Sequence, residues 1–199
     1  MRVLAFSDVH CDLDAAASLV ERAADADLVV GAGDFAKVHE GLNETVSAFA
    51  GIETPTFVVP GNNETADALR GAASAWSAAT VLHGETAQAD GATLFGLGGG
   101  IPTTPWDWSF DLDEEEAAAA LEGCPDGVDL LVLHSPPYGH CDASGSGDHF
   151  GSRALAEAIE AKQPKVAVCG HIHESWGAES AIGGTSIFNL GPEGRVIEL

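Results

Sequence analysis

Five short polar motifs punctuate this chain: Asp8-Val9-His10, Gly33-Asp34, Gly61-Asn62-Asn63-Glu64, His134-Ser135-Pro136 and Gly170-His171-Ile172-His173. Their side chains are carboxylate, carboxamide and imidazole, with no thiolate. Such an O/N donor set suits Mn, Fe, Ni, Co or Zn better than Ca or an iron–sulfur cluster. Each motif follows or ends a short apolar run that reads as a strand. Residues at the carboxyl ends of neighbouring strands converge in space even when scattered in sequence. Taken singly, most of the motifs have a plain reading. Gly-Asp pairs make turns, and Gly-Asn-Asn after Val58-Val59-Pro60 is a turn sequence. A His ending a buried strand is often just hydrogen-bonded in place. The pair His171 and His173 is stronger, because no apolar alternation explains it. The order of all five motifs, each at a strand end, carries the argument.

The elements that must position them follow from periodicity. Val3–Phe6, Leu28–Val30 and Thr56–Val59 read as strands. A helix capped by Asp12 or Asp14 follows the first, with Leu13, Ala16, Ala17, Val20 and Ala24 on the helical period. His39–Phe49 reads as a second helix, and Thr65 caps a third through Ala73. This alternation implies a parallel sheet with right-handed crossovers. Val81-Leu82, Glu85–Ala89 and Thr93–Leu97 read as short antiparallel strands with tight turns. Gly98–Phe110 is a loop, and Asp111–Glu122 a helix with acids at the favourable end of its dipole. Val128–Leu133 is a strand buried on both faces. After a long loop, Ser152 caps a helix through Lys162, Lys165–Cys169 is the next strand, and Ser180–Leu199 alternates β runs with Gly-rich turns. The expected fold is one α/β domain over residues 1–199, a four-layer α/β/β/α sandwich with two packed mixed β-sheets.

In this order the motifs resemble the calcineurin-like metallophosphoesterase family, from Asp8 to His173. The wording around His134 to His140 and Gly170 to Glu174 is similar to its small, single-domain branch. Carried over position by position, the resemblance implies that Asp8, His10, Asp34 and His173 hold one metal. Asp34, Asn62, His134 and His171 would hold the second, with Asp34 bridging. Two divalent ions are implied, manganese ahead of iron, nickel, cobalt or zinc. Two such ions about 3.5–4 Å apart clamp a phosphoryl oxygen and activate a bridging water for attack. The family pattern places His where this chain has Asn63. A carboxamide donates a hydrogen bond but transfers no proton near neutrality, and general acid catalysis is worth roughly 10²–10⁴-fold. Some small relatives also lack this His and resemble phosphodiesterases. The expectation is therefore a phosphodiesterase acting on a small phosphorylated substrate, a nucleotide included. A phosphomonoesterase and a non-catalytic metal-binding scaffold are the alternatives. Asn63 and His140 are the candidate catalytic residues, with His140, His39 or a metal-bound water as the stand-in for the missing imidazole. His39, His83 and His149 read as ordinary surface or structural histidines. Trp106 and Trp108 either pack their loop down or offer a base-stacking surface.

Composition narrows the partners. Asp and Glu total 31 against 8 Lys and Arg, a formal charge of −23. Such a surface repels nucleic-acid backbones and anionic membranes, so no duplex binding and no membrane association are expected. The acids are dispersed rather than gathered in a tail, the pattern of a chain kept soluble in concentrated salt. No run approaches the roughly 18 apolar residues of a membrane span. Met1-Arg2 leads straight into a strand, so a cytoplasmic location is expected. Cys11, Cys124, Cys141 and Cys169 form no C-x-x-C pair and read as free thiols. The oligomeric state is not fixed by the sequence.

Overall fold

Alternate residues along each central strand are apolar in both directions, and that pattern builds two sheets with three cores. The computed structural model describes residues 1–199. Strands β1 (Arg2–Phe6), β2 (Leu28–Gly31), β3 (Thr56–Val58) and β4 (Ala79–Val81) run parallel, and β11 (Arg195–Glu198) pairs antiparallel with β1 at one edge. The second sheet has the order β5-β6-β7-β8-β10-β9. Its strands are β5 (Glu85–Ala89), β6 (Ala92–Leu97), β7 (Leu130–Leu133), β8 (Val166–Cys169), β9 (Glu179–Ile182) and β10 (Thr185–Asn189).

On β1, Val3 and Ala5 face the second sheet, where they join Val30, Leu94, Leu130, Val132 and Val168 in one buried cluster. Leu4 and Phe6 point the other way and pack with α1 (Leu13–Ala23), α2 (Leu42–Phe49) and α3 (Ala66–Ala73). Phe95, Leu131 and Ala167 pack against α4 (Glu114–Leu121) and α5 (Arg153–Lys162) on the outer face of the second sheet. The layers are therefore α/β/β/α, as expected. No helix is long and apolar enough to cross a membrane.

Side-chain caps start four of the helices. Asp12 accepts from the N–H groups of Asp14 and Ala15, Thr65 caps α3, Asp113 and Glu116 form a capping box on α4, and Ser152 caps α5, each cap satisfying otherwise orphaned donors. The sequence reading fails in three places. The second helix begins at Leu42, not His39, because Val38, His39 and Gly41 have φ of 49°, 66° and 73°, in the left-handed region. The fourth begins after Asp113, because the Asp111 carboxylate instead accepts from Thr104 and Ser109 and closes the preceding loop. The middle strands are antiparallel only for β5 with β6; β4 runs parallel to β3, and β6 parallel to β7. In both parallel cases a helix carries the chain back before the next strand, which imposes parallel pairing.

Candidate metal centre

The five motifs gather at one end of the two sheets. Asp8 and His10 follow β1, Asp34 follows β2, and Asn62, Asn63 and Glu64 follow β3. His134 follows β7, and His171 and His173 follow β8. Two groups of donors result: Asp8 with His10 and His173, and Asp34 with His134 and His171, the donor atoms of each within 4.8 Å of one another. Asp34 Oδ2 lies between the groups, 3.5 Å from His10 Nε2 and 3.6 Å from His134 Nε2. Asn62 Oδ1 adds a neutral oxygen, 3.2 Å from His134 Nε2 and 3.1 Å from His171 Nδ1. All seven residues expected as ligands are thus brought together.

The donor chemistry fits cations. The Nδ1–H groups of His10 and His134 donate to the Ala36 and Ala32 carbonyls at 3.0 and 2.8 Å. That fixes the tautomer, with Nε2 as the lone-pair nitrogen of each ring. Asn62 Nδ2 donates to Ser109 Oγ at 2.9 Å, so its oxygen faces inward. Bare nitrogens therefore face a carboxylate oxygen and a carbonyl oxygen, acceptor against acceptor. Two divalent ions would satisfy every one of these atoms. Burial, then the neighbouring His134, His173 and His10, holds the His171 pKa well below the usual imidazole range, so the ring stays neutral and able to coordinate.

The backbone is forced to reach this arrangement. Asp8, His10, Asp34 and His171 have φ of 54°, 45°, 59° and 68°. Non-glycine residues held there cost on the order of 1–3 kcal/mol each and cluster at functional sites. Glycine is required where loops close over the carboxylates. A Cβ on Gly61 would collide with Asp34 Oδ1, and one on Gly170 with Asp8 Oδ2.

Glu64, a buried carboxylate to which the motif pattern alone gave no role, ties the second and third loops together. Its oxygens accept from the N–H groups of Asp34 and Gly61 (2.9 and 2.7 Å) and of Ala36 (2.9 Å). Burial, followed by repulsion from Asp34, pushes its pKa up to about 7. Burial and the nearby Asp8 carboxylate likewise push Asp34 up to about 7. The signal for Glu64 was its place directly after Gly61-Asn62-Asn63.

Asn63 is buried beside Asp34 and also borders the open cleft, which has a volume of about 360 Å³. His140 is not among the residues that line it. Its loop is closed by buried Asp142, which accepts from Gly139, Gly151 and His149, and His140 Nδ1 instead meets Ser180 Oγ on β9 at 2.7 Å. Trp106 and Trp108 stack on each other, with centroids 5.4 Å apart and an interplanar angle of 7°, and both line the cleft with Phe150. His39 Nε2 meets the Trp108 carbonyl at 2.6 Å and steadies that wall. A second cavity of about 490 Å³ lies along residues 189–195 and Trp176 and contains none of the donor residues.

Fold and site together define a two-metal centre at the strand ends of an α/β/β/α sandwich. The family model described as calcineurin-like phosphoesterase matches residues 1–175, and the chain belongs to that family. UPF0046 protein T07D4.2 of Caenorhabditis elegans is 36% identical over 91 residues, 42% of this chain and 22% of that protein. UPF0046 protein K07C11.7 of the same organism is 27% identical over 214 residues, 95% of this chain and 69% of that protein. The first match thus spans under a quarter of its relative, and the second about two thirds. The crystal structure of TT1561 from Thermus thermophilus superposes with a TM-score of 0.77 at 18% identity, covering 96% of this chain and 90% of that one. At that identity the likeness shows the fold alone.

Proposed function

We propose that this protein is a two-metal phosphodiesterase acting on small phosphate diesters, nucleotides among them. The observation that carries the diester reading is what the cleft lacks. Its lining holds no Lys or Arg, and its histidines are His10, His171 and His173, all in the donor groups. A monoester dianion has no side-chain cation there to meet it. Bound ions would supply the positive charge facing the reacting phosphoryl group, and a diester monoanion needs no further cation, whereas the second charge of a monoester dianion would find no Lys or Arg in the lining.

When bound, two divalent ions supply the clamp on a phosphoryl oxygen and the activation of the attacking water. The chain's own groups do the rest. Asp34 fixes an oxygen at the meeting point of the two groups, Asn62 adds one beside His134 and His171, and the outer hydrogen bonds of His10 and His134 aim their Nε2 atoms at Asp34. Asn63 cannot hand a proton to a leaving oxygen. Turnover should therefore favour leaving groups that depart as stable anions. The exposed faces of Trp106 and Phe150, 49% and 54% accessible, offer a planar apolar surface for an aromatic leaving group or base. Manganese is the first ion to test, and the dispersed acidic surface suits a salt-rich cytoplasm.

The test pairs an aryl phosphate diester with the matching monoester, using metal-free protein reloaded with Mn²⁺. The expected result is a kcat/KM at least tenfold higher for the diester. A preference for the monoester would overturn the diester assignment. No turnover of either with any of Mn, Fe, Ni, Co or Zn would overturn the hydrolase reading.

A further inference from the structure

Trp176 stands three residues beyond His173, at the end of a 3₁₀ turn formed by His173–Ser175. Its indole touches two of the three donors of one metal group. The Nε1–H donates to Asp8 Oδ2 at 3.1 Å. The ring lies against the His173 imidazole, with centroids 4.4 Å apart and an interplanar angle of 33°. Behind it, Gly191 has φ of 101°, and a Cβ there would come within 2.9 Å of the indole Cγ, so glycine makes room for the ring.

Asp8 Oδ2 is thus already engaged. Ser7 Oγ donates to it as well, while itself accepting from the Gly191 N–H at 2.9 Å. The His171 N–H reaches both carboxylate oxygens. Oδ1 carries no side-chain donor and faces His173 Nε2 at 3.8 Å. Two side-chain donors on Oδ2 and none on Oδ1 leave Oδ1 as the more available donor atom.

We propose that Trp176 is a positioning residue for the Asp8, His10 and His173 group. Its N–H holds Asp8 as a one-oxygen ligand, and its ring sets the plane of His173. This rests on the reading that the group binds a cation. Groups that orient metal ligands typically alter affinity by 10–100-fold when removed. Trp176→Phe keeps a ring against His173 and removes only the N–H. Trp176→His restores a ring N–H.

Metal-free wild type, W176F and W176H are titrated with Mn²⁺ and followed calorimetrically, after thermal melting confirms that each is folded. Wild type should show two classes of site. In W176F one class weakens about tenfold and the other stays within twofold; W176H recovers part of the loss. Unchanged affinities in W176F, with wild-type binding intact, overturn this proposal alone. Failure of wild type to bind metal overturns both it and the hydrolase reading. Should W176F not fold, wild-type protein labelled with ¹⁵N-indole tryptophan decides. The Trp176 indole resonance, identified by its contact with the His173 ring, should move as Zn²⁺ is added, and its immobility at full loading overturns the proposal.

Discussion

Asn63 Nδ2 donates to Asp34 Oδ2 at 2.7 Å, and the Asn63 backbone N–H donates to Asp34 Oδ1 at 2.8 Å. The carboxamide is held at its other end by the Val38 N–H, which donates to Asn63 Oδ1 at 2.8 Å. Val38 makes that bond with φ of 49°, an unfavourable conformation for a β-branched residue. The turn is strained so that Asn63 grips Asp34. Replacing Asn63 with Ala is therefore expected to weaken metal binding about tenfold, measured by Mn²⁺ titration of metal-free protein. An unchanged affinity would show that the grip is irrelevant to the metals. Val38→Gly, which relieves the φ strain, is expected to raise stability by up to about 1 kcal/mol, because the gain is partly offset by the greater chain entropy of glycine.

Metal uptake should follow pH through Asp34. Its ordinary pKa of 3.8 is raised to about 7 in the metal-free fold, mainly by burial. Between these values the folded protein holds a proton that the unfolded chain has released. That group therefore adds stability at low pH, fully present below 3.8, and the contribution is lost as pH rises through about 7. A cation must displace the same proton. Apparent affinity should fall by up to about tenfold per pH unit below pH 7 on account of Asp34, and level off above it. Calorimetric titrations from pH 5.5 to 8 would show this, and a flat profile would refute it.

Glu64→Ala should be strongly destabilising. It leaves the buried N–H groups of Asp34, Ala36 and Gly61 without an acceptor. Unsatisfied buried donors cost about 1–3 kcal/mol each. A total loss of about 3 kcal/mol is expected in urea unfolding of the metal-free protein. A loss below about 1 kcal/mol would mean that water replaces the carboxylate at little cost.

Trp106→Ala tests the cleft wall. Stacking on an aromatic side chain is worth about 1–3 kcal/mol per base. For a nucleotidyl diester, KM should rise about tenfold while kcat holds. Equal KM for wild type and variant would restrict the Trp106–Trp108 stack to packing its own loop.

Much of the site was legible because the motif residues belong to strand ends that the apolar runs mark directly. Val3–Phe6 before Asp8 and Val128–Leu133 before His134 needed no tertiary information. What failed depended on side-chain partners that periodicity does not mark. Nothing local says that Val38 and His39 adopt left-handed backbone; the cause is Asn63, far along the chain, which draws the Val38 N–H. Asp111 looks like a helix start until Thr104 and Ser109 claim its oxygens. His140 sits close to His134 in sequence, but Asp142 folds the intervening loop so that it meets Ser180 instead. Trp176 carries no signal of its own, since its partners Asp8 and His173 follow strands of different sheets.

That division between sheets has a mechanical side. Asp8, His10, Asp34 and Asn62 leave the first sheet, whereas His134, His171 and His173 leave the second. Each donor group draws on both. Ions seated there would act as rivets through two plates already joined at this rim by hydrogen bonds from His171 and Trp176 to Asp8 and from His134 to the Ala32 carbonyl. Loading and unloading them is then also a mechanical event, clamping one rim of the sandwich or releasing it.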